Sequence, residues 1–369
     1  MSACVTGATG FLGGHIARLL CERGDHVRLT CRDPGGLGAL EGLDARWARA
    51  EVCDYRALRS AFEGADVVFH TAGFVGSRPA DRAWRVNAEG PLVAVEAAAA
   101  AGCRRVVLTS SISAIGLPSG EAPADERTRY PEEWLRLTYP DSKHEGERVA
   151  LEAAARHGVE LVVVNPGYAL GAPLDRARPR AISSRIVGNY LRGRLPAVIS
   201  APMNFVDVED AAAGHLLAAD RGKPGERYIL GGSNTTWPAL IDRVAQLSGV
   251  RRPVVVLPRE TARVARLGDT LGVPELISVE GYELMAQDWR FSSAKAEHEL
   301  GYRTRPLDRT IRATIDWYEQ LIEEGAFDES HRSSLSMLAA GTRTLSRLGL
   351  LEPLKLGQRL AGRRVIAGV

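Results

Sequence analysis

The sequence predicts an α/β protein: a doubly wound parallel sheet with helices on both faces, followed by a smaller mixed lobe. Three observations predict it. Short apolar runs alternate with amphipathic stretches through about the first 165 residues, the pattern of strands buried on both faces by crossover helices. A glycine-rich turn joins the first apolar run to the first helical stretch. From about residue 170 the alternation loosens, and Pro173, Pro179, Pro196 and Pro202 punctuate the chain.

The composition sets the outer limits. The chain has 369 residues, 45% apolar and 25% charged, which excludes a disordered chain, a collagen-like chain and a small disulfide scaffold. Lys plus Arg (47) nearly balance Asp plus Glu (45), so a global nucleic-acid footprint is absent and no nucleic-acid partner is expected. No apolar run reaches about 20 residues, so no spanning helix is expected, and the first residues lack a basic stretch followed by an apolar one. A cytoplasmic location follows as an expectation. The five cysteines (Cys4, Cys21, Cys31, Cys53, Cys103) form no CxxC pair and read as thiols in a reducing compartment. His15, His70, His144, His157 and His215 suggest no metal cluster, so no metal is expected.

The elements follow in order. The run ending at Val5-Thr6 is the first strand, and Phe11 opens the first helix. Between them Gly7, Gly10 and Gly13 space a turn of the dinucleotide type. Gly7 serves the tight turn, Gly10 the approach of a pyrophosphate, and Gly13 the packing of helix on strand. Thr9, Phe11 and Leu12 of the same turn count with it as cofactor contacts.

The second strand is His26 to Cys31, and Arg32 follows it. An acid at this strand end would accept from an adenosine ribose; Cys31 stands there instead. The Arg32 guanidinium suits a 2′-phosphate, unless it merely pairs with Asp33 in solvent. NADP(H) is therefore favoured, with NAD(H) as the alternative. Ala65 to His70, Val106 to Leu108 and Leu161 to Val164 read as further buried strands, and Gly90 to Ala101 as an alanine-rich helix. Thr109-Ser110-Ser111 closes what reads as the fourth strand.

Tyr139 and Lys143 lie four apart at the head of the helical run from His144 to Arg156, hence on one face. An ammonium beside a phenol lowers the phenol's pKa, so Tyr139 is expected to shuttle a proton nearer neutral pH. A hydroxyl at a strand's carboxyl end, that of Ser111, can hold a carbonyl in place. Beyond residue 170, strands at Asn204 to Val208 and Arg227 to Leu230 alternate with helices at Glu209 to Ala219 and Pro238 to Leu247.

TGATGFLGG (6–14), HTAG (70–73), VNAEGP (86–91), TSSISAIG (109–116), YPDSK (139–143), VNPGYALG (164–171) and NFVDVEDAAAGH (204–215) together resemble the extended short-chain dehydrogenases/reductases. That is the NAD-dependent epimerase/dehydratase superfamily, and the resemblance spans residues 3 to 320. GERYILGG (225–232) and FSSAKAEHELGY (291–302) resemble its dihydroflavonol-4-reductase-like branch, which includes bacterial hopanoid-associated sugar-epimerase-like proteins.

The resemblance implies a Rossmann-type fold and a set of roles. Tyr139 is the catalytic acid/base, Lys143 its partner and a contact to the nicotinamide ribose, and Ser111 the carbonyl-orienting residue. Thr71, Ala72, Gly73, Asn87, Thr109, Pro166 and Gly167 are implied around the cofactor, with Glu51 and Val52 near adenine. Ala50-Glu51-Val52 departs from the usual Gly-Asp-Leu or Gly-Asp-Val there, and Asp54 suits a helix cap as well as a ligand. Dimerisation through the helices near Gly90 to Ala101 and Lys143 to Arg156 is implied too.

Among the chemistries of the family, dehydratases carry Thr-Asp-Glu where this chain has Thr109-Ser110-Ser111, so the extra acid and base that elimination of water needs are absent. Epimerases of nucleotide sugars place a diphosphate-gripping Arg where Met203 stands; Arg178, Arg180 and Arg185 are the available substitutes. Carbonyl reduction of a small, apolar aldehyde or ketone is the favoured activity, with Ser113, Tyr168, Leu170 and Met203 as candidate substrate contacts. A sugar epimerase and a non-catalytic NADP-binding sensor are the alternatives.

The expected organisation is a dinucleotide domain over 1–170 to which parts of 204–232 return, a substrate lobe over 171–320, and a tail over 321–369. Residues 330 to 369 carry seven basic residues and one acid, Glu352. Leu335, Leu338, Leu345, Leu348 and Leu351 are near helical spacing, and Leu354, Leu356 and Leu360 follow Pro353. Such a segment suits either a docking arm or peripheral contact with an anionic membrane.

Overall fold

The computed structural model describes residues 1–32, 40, 42–175, 183–261, 279–327, 341, 344 and 364–368. Seven strands form one all-parallel sheet: β1 (Ser2–Thr6), β2 (His26–Cys31), β3 (Ala45–Arg49), β4 (Val67–His70), β5 (Arg105–Thr109), β6 (Glu160–Pro166) and, much later in the chain, β10 (Arg227–Leu230). Their order is β10-β6-β5-β4-β1-β2-β3, so the direction of winding reverses beside β1. That is where open α/β sheets bind ligands, past the carboxyl ends of the strands. Thr109 closes the fifth strand rather than the fourth, because Ala45–Arg49 forms a short exposed strand that the apolar runs do not announce.

β4, β5 and most of β6 are buried throughout, as strands covered on both faces must be. On one face pack α1 (Phe11–Glu22) and α7 (Val208–Arg221), and Ile16, Leu20, Leu29 and Phe69 form the core there. On the other lie α2 (Tyr55–Phe62), α4 (Gly90–Ala100) and α5 (Thr138–His157). Ala94, Ala97, Ala98, Ala150, Ala153 and Ala154 all sit in that core, and such small side chains let α4 and α5 come close.

α4 continues without a break from α3 (Ala80–Trp84) through a π turn over Arg85–Glu89. Pro91 supplies the reason: it has no N–H to give the carbonyl of Asn87, four residues back. A Cβ on Gly146 of α5 would lie 2.0 Å from that carbonyl oxygen, so α5 packs against the turn only because residue 146 is glycine.

The second lobe holds two three-stranded sheets. One joins β7 (Tyr168–Leu170), β9 (Pro202–Asp207) and β11 (Ser233–Thr236) in the order β11-β9-β7; the other orders β13 (Ile366–Ala367), β12 (Val254–Leu257) and β8 (Ala197–Ile199). Around them lie α6 (Arg185–Leu191), α8 (Trp237–Ser248), α9 (Val279–Ala286), α10 (Ala294–Leu300) and α11 (Leu307–Glu323). Their core gathers Tyr190, Phe205, Trp237, Trp289 and Tyr318.

The C-terminal strand β13 was not expected from the sequence. Ile366 and Ala367 pair with Val255 and Val254 and are buried, while the Tyr190 hydroxyl donates to the Gly368 carbonyl at 2.9 Å. Residues 364–368 therefore pack on the second lobe. Asp33, Arg178, Arg180 and the leucine series from Leu335 to Leu360 lie outside the described residues. α11 also runs through residue 320, past the boundary the sequence suggested.

Candidate active site

The glycine turn is made of backbone. Gly7 has φ +68, and a Cβ there would lie 2.7 Å from the backbone of Ala72. A Cβ on Gly13 would lie 2.4 Å from the Gly7 carbonyl oxygen and 2.5 Å from Thr71 Oγ1. Strand, turn and helix thus close on one another only without side chains, and the loop after β4 is drawn into the same contact. Thr71 Oγ1 donates to the Thr6 carbonyl at 2.5 Å, and the Ala72 N–H donates to Thr6 Oγ1 at 3.3 Å.

Gly10 caps α1 without a side-chain bond, and no acid stands in the helix's first turn. Free N–H groups at an unshielded positive helix end fit a pyrophosphate. Beyond β2 Arg32 is exposed, Cys31 is buried, and the Cys53 N–H donates to the Glu51 carboxylate at 2.8 Å. Asp54 caps α2, accepting from the Ala57 N–H at 3.0 Å. Val52 packs against Gly90.

The reacting end is made of side chains. α5 starts at Thr138, six residues earlier than its apolar pattern suggests, so Tyr139 stands in its first turn and Lys143 one turn on. Ser111 leaves β5 as the cap of a short 3₁₀ turn over Ile112–Ala114, and its hydroxyl stands near enough to the Tyr139 phenol to favour the phenolate. Ser113 Oγ donates to Ser111 Oγ at 3.0 Å. Lys143 is buried and donates to the Thr109 carbonyl at 3.1 Å. The fold therefore brings Ser111, Ser113, Tyr139 and Lys143 together from two elements.

Burial raises the Tyr139 phenol above its ordinary value, opposed by the Ser111 hydrogen bond. The sequence suggested a phenol lowered by the ammonium; here burial sets the direction, and Ser111 is the group that opposes it. Burial also lowers the Lys143 ammonium to about 8, opposed by the nearby Glu147 carboxylate.

Asn87 projects from the π turn into this region. Its Nδ2 donates to the Phe74 carbonyl at 3.0 Å and to Ser142 Oγ at 3.1 Å, and its Oδ1 accepts from the Phe74 N–H at 2.8 Å. It ties the loop after β4 to α5, and Gly73 of that loop faces Lys143 Nζ. Pro166 ends β6, buried, beside Leu230; the Gly167 N–H donates to the Leu230 carbonyl at 3.2 Å.

Four supporting residues were not singled out for a site role in the sequence. Asp141 accepts from the Tyr130 hydroxyl at 2.5 Å and from the N–H groups of Leu135 and Leu137, fixing the segment before α5, where Trp134 and Arg136 hold positive φ. Glu147 and Asn165 bond each other beneath Ser111. His215 bonds Thr109 Oγ1 at 2.9 Å and the Ala211 carbonyl at 2.7 Å; burial lowers it to about 4 and leaves it neutral. An acid one turn past the Tyr/Lys pair was the available hint for Glu147.

The candidate substrate contacts divide. Tyr168 is half-buried, its ring edge-on to Phe205 and Trp237, and its hydroxyl donates to the Ser183 carbonyl at 3.1 Å. Leu170 is fully buried and Met203 nearly so, both within the second lobe's core. Their side chains serve packing in this conformation. Among the described residues no group of three His, Cys, Asp or Glu is arranged to hold a metal ion.

A family model described as the NAD dependent epimerase/dehydratase family matches residues 3–231. The chain belongs to this family. It is an extended short-chain dehydrogenase/reductase, and thus of the NAD(P)-dependent enzyme class. A putative dihydroflavonol 4-reductase from Synechocystis is 32% identical over 85% of this chain and 94% of that protein. Sterol demethylase protein B from Methylococcus capsulatus is 32% identical over 87% of this chain and 99% of its own length. Cinnamoyl-CoA reductase 1 from Oryza sativa is 34% identical over 85% and 88%.

Two solved structures superpose closely. One, of gox2253, has 32% identity and a TM-score of 0.77, covering 89% of this chain and 99% of that one. The other, a nucleoside-diphosphate-sugar epimerase from Pseudomonas aeruginosa, has 27% identity and a TM-score of 0.74, covering 89% and 99%.

Proposed function

We propose that the protein reduces an aldehyde or ketone to the alcohol, using NADPH. The observation that carries this reading is the assembly of Ser111, Tyr139 and Lys143 with a second hydroxyl, Ser113, where a dehydratase would need an acid and a base. The relatives named as reductases support it. The nicotinamide, when bound, supplies the hydride. Ser111 and Tyr139 hold the carbonyl oxygen, and Ser113 donates to Ser111, leaving the Ser111 proton for Tyr139 or the substrate. Tyr139 gives its phenolic proton to the oxygen as the carbon becomes tetrahedral. The Lys143 ammonium then stabilises the phenolate left behind.

Arg32, exposed and with no acid at Cys31, supports NADPH over NADH. Tyr168 and its aromatic neighbours support an apolar substrate, in keeping with the name of the sterol demethylase relative. The sugar epimerase is the second reading, favoured by the epimerase structure and opposed by buried Met203 in place of an arginine.

A homodimer through α4 and α5 also belongs to this proposal: the two helices pack together, and Trp84, Leu92, Trp134 and Val149 line a groove on their outer side. Light scattering tests it. A cytoplasmic location and peripheral membrane contact through residues 330–369 are likewise proposals; co-sedimentation with anionic vesicles tests the contact.

The deciding experiment follows nucleotide absorbance with NADPH or NADH against a panel of aldehydes, ketones and nucleotide sugars. Oxidation of NADPH by an apolar carbonyl compound is expected. Epimerisation of a nucleotide sugar without net nucleotide turnover would overturn the reading.

A further inference from the structure

Below the catalytic residues lies a buried carboxylate with two partners. Glu147 is 1% exposed, one helical turn past Lys143 on α5. One of its oxygens accepts from Asn165 Nδ2 at 2.6 Å, and the other faces Arg227 Nη2 at 2.8 Å. Asn165, itself fully buried, also donates to the Ser111 carbonyl at 2.9 Å. Arg227 opens β10, the strand that reaches the sheet only after the second lobe has begun, and pairs there with Val163 of β6. One carboxylate thus links the Lys143 helix, the Ser111 backbone and the returning strand.

A carboxylate out of water stays charged only with partners of this kind, and their loss leaves an uncompensated buried charge. The arrangement is therefore rigid, and it stands on the side of Lys143 away from Tyr139. Among the described residues no carboxylate forms a direct ion pair with Lys143.

The groups that face Lys143 are few. β4 brings His70, which burial lowers to about 3 and leaves neutral. β5 brings the Thr109 carbonyl. The loop after β4 and the π turn bring Gly73 and Asn87, both uncharged. α5 itself brings Tyr139 and Glu147, and behind Glu147 stand Asn165 on β6 and Arg227 on β10. Glu147 is the negative charge in this set, and Arg227 the charge that offsets it.

We propose that Glu147 is a positioning residue for the reaction: it is the counter-charge of Lys143, and through Asn165 it fixes the backbone that carries Ser111. This rests on the reductase reading for its catalytic meaning, but the charge relation does not depend on that reading.

The chain has four lysines, Lys143, Lys223, Lys295 and Lys355, so NMR of protein carrying isotope-labelled lysine can follow Lys143 alone once a Lys143→Met variant assigns its signal. Glu147→Gln keeps an acceptor for Asn165 and removes the charge; Lys143 is then expected to titrate about one pH unit lower than in the unaltered protein. Arg227→Met removes the offsetting cation and is expected to move the titration the other way. Asn165→Leu is expected to leave the titration in place, to lower kcat about tenfold and to leave KM for NADPH within twofold.

The two charge variants are read independently, so one that fails to fold leaves the other decisive. A Lys143 titration unmoved in a folded Glu147→Gln or Arg227→Met protein would overturn the proposal. Titration shifts as described in a protein that reduces no carbonyl would leave the Glu147 relation standing and sink the reductase reading instead.

Discussion

The two ends of the candidate site are built by opposite means. At the phosphate end the chain works by leaving side chains out: Gly7 and Gly13 let a turn, a helix and the loop after β4 meet within van der Waals contact, and the helix end stays bare. At the reacting end it works by burying side chains that satisfy one another: Asn87 with Ser142, Asp141 with Tyr130, Glu147 with Asn165. The first end depends on close backbone approach, within the turn and to Thr71 and Ala72 of the distant loop after β4. The second depends on pairings across tens of residues, and its chemistry changes with any member of the network.

Substitutions can break this contrast. Tyr139→Phe at the reacting end is expected to lower kcat/KM about 1,000-fold, with nucleotide affinity by fluorescence titration within twofold of the unaltered protein. Gly13→Val at the other end is expected to do the reverse in kind. Its Cβ would press on the Gly7 carbonyl and Thr71, and NADPH affinity is expected to fall about 100-fold. Retained affinity would mean that the turn is not the phosphate cradle.

Arg32→Ala sharpens the picture within the nucleotide end. It is expected to weaken NADPH by about tenfold and to leave NADH unchanged. An equal loss for both nucleotides would remove Arg32 as the reader of a 2′-phosphate.

The pH dependence concerns the reacting end alone. Lys143 is cationic below about 8 and loses its charge as pH rises through that value, because burial disfavours the ammonium. In the protein without bound nucleotide, its titration midpoint is expected near pH 8, followed through the same labelled-lysine NMR signal. Asp54→Ala is the mildest case. It removes one helix cap and is expected to cost about 1 kcal/mol in denaturant unfolding, with nucleotide affinity unchanged.

The end of the chain adds an element that no local pattern announces: β13 joins the sheet of β8 and β12. The Ile366–Ala367 strand is only two residues long, too short for any periodicity to register.

The sequence by itself determined the parallel sheet, the glycine turn and the Tyr139/Lys143 face, since each is a local pattern: strands buried on both faces are apolar throughout, a phosphate turn needs glycine at fixed spacing, and residues four apart share a helix face. It also placed Ser111 at a strand end, although it miscounted that strand by overlooking Ala45–Arg49. Only the tertiary structure decided which buried polar groups meet. Glu147, Asn165 and Arg227 are far apart in the chain, each an ordinary residue in its own stretch. Their role exists because β10 returns to pair with β6 and sets an arginine against a carboxylate that the solvent no longer reaches.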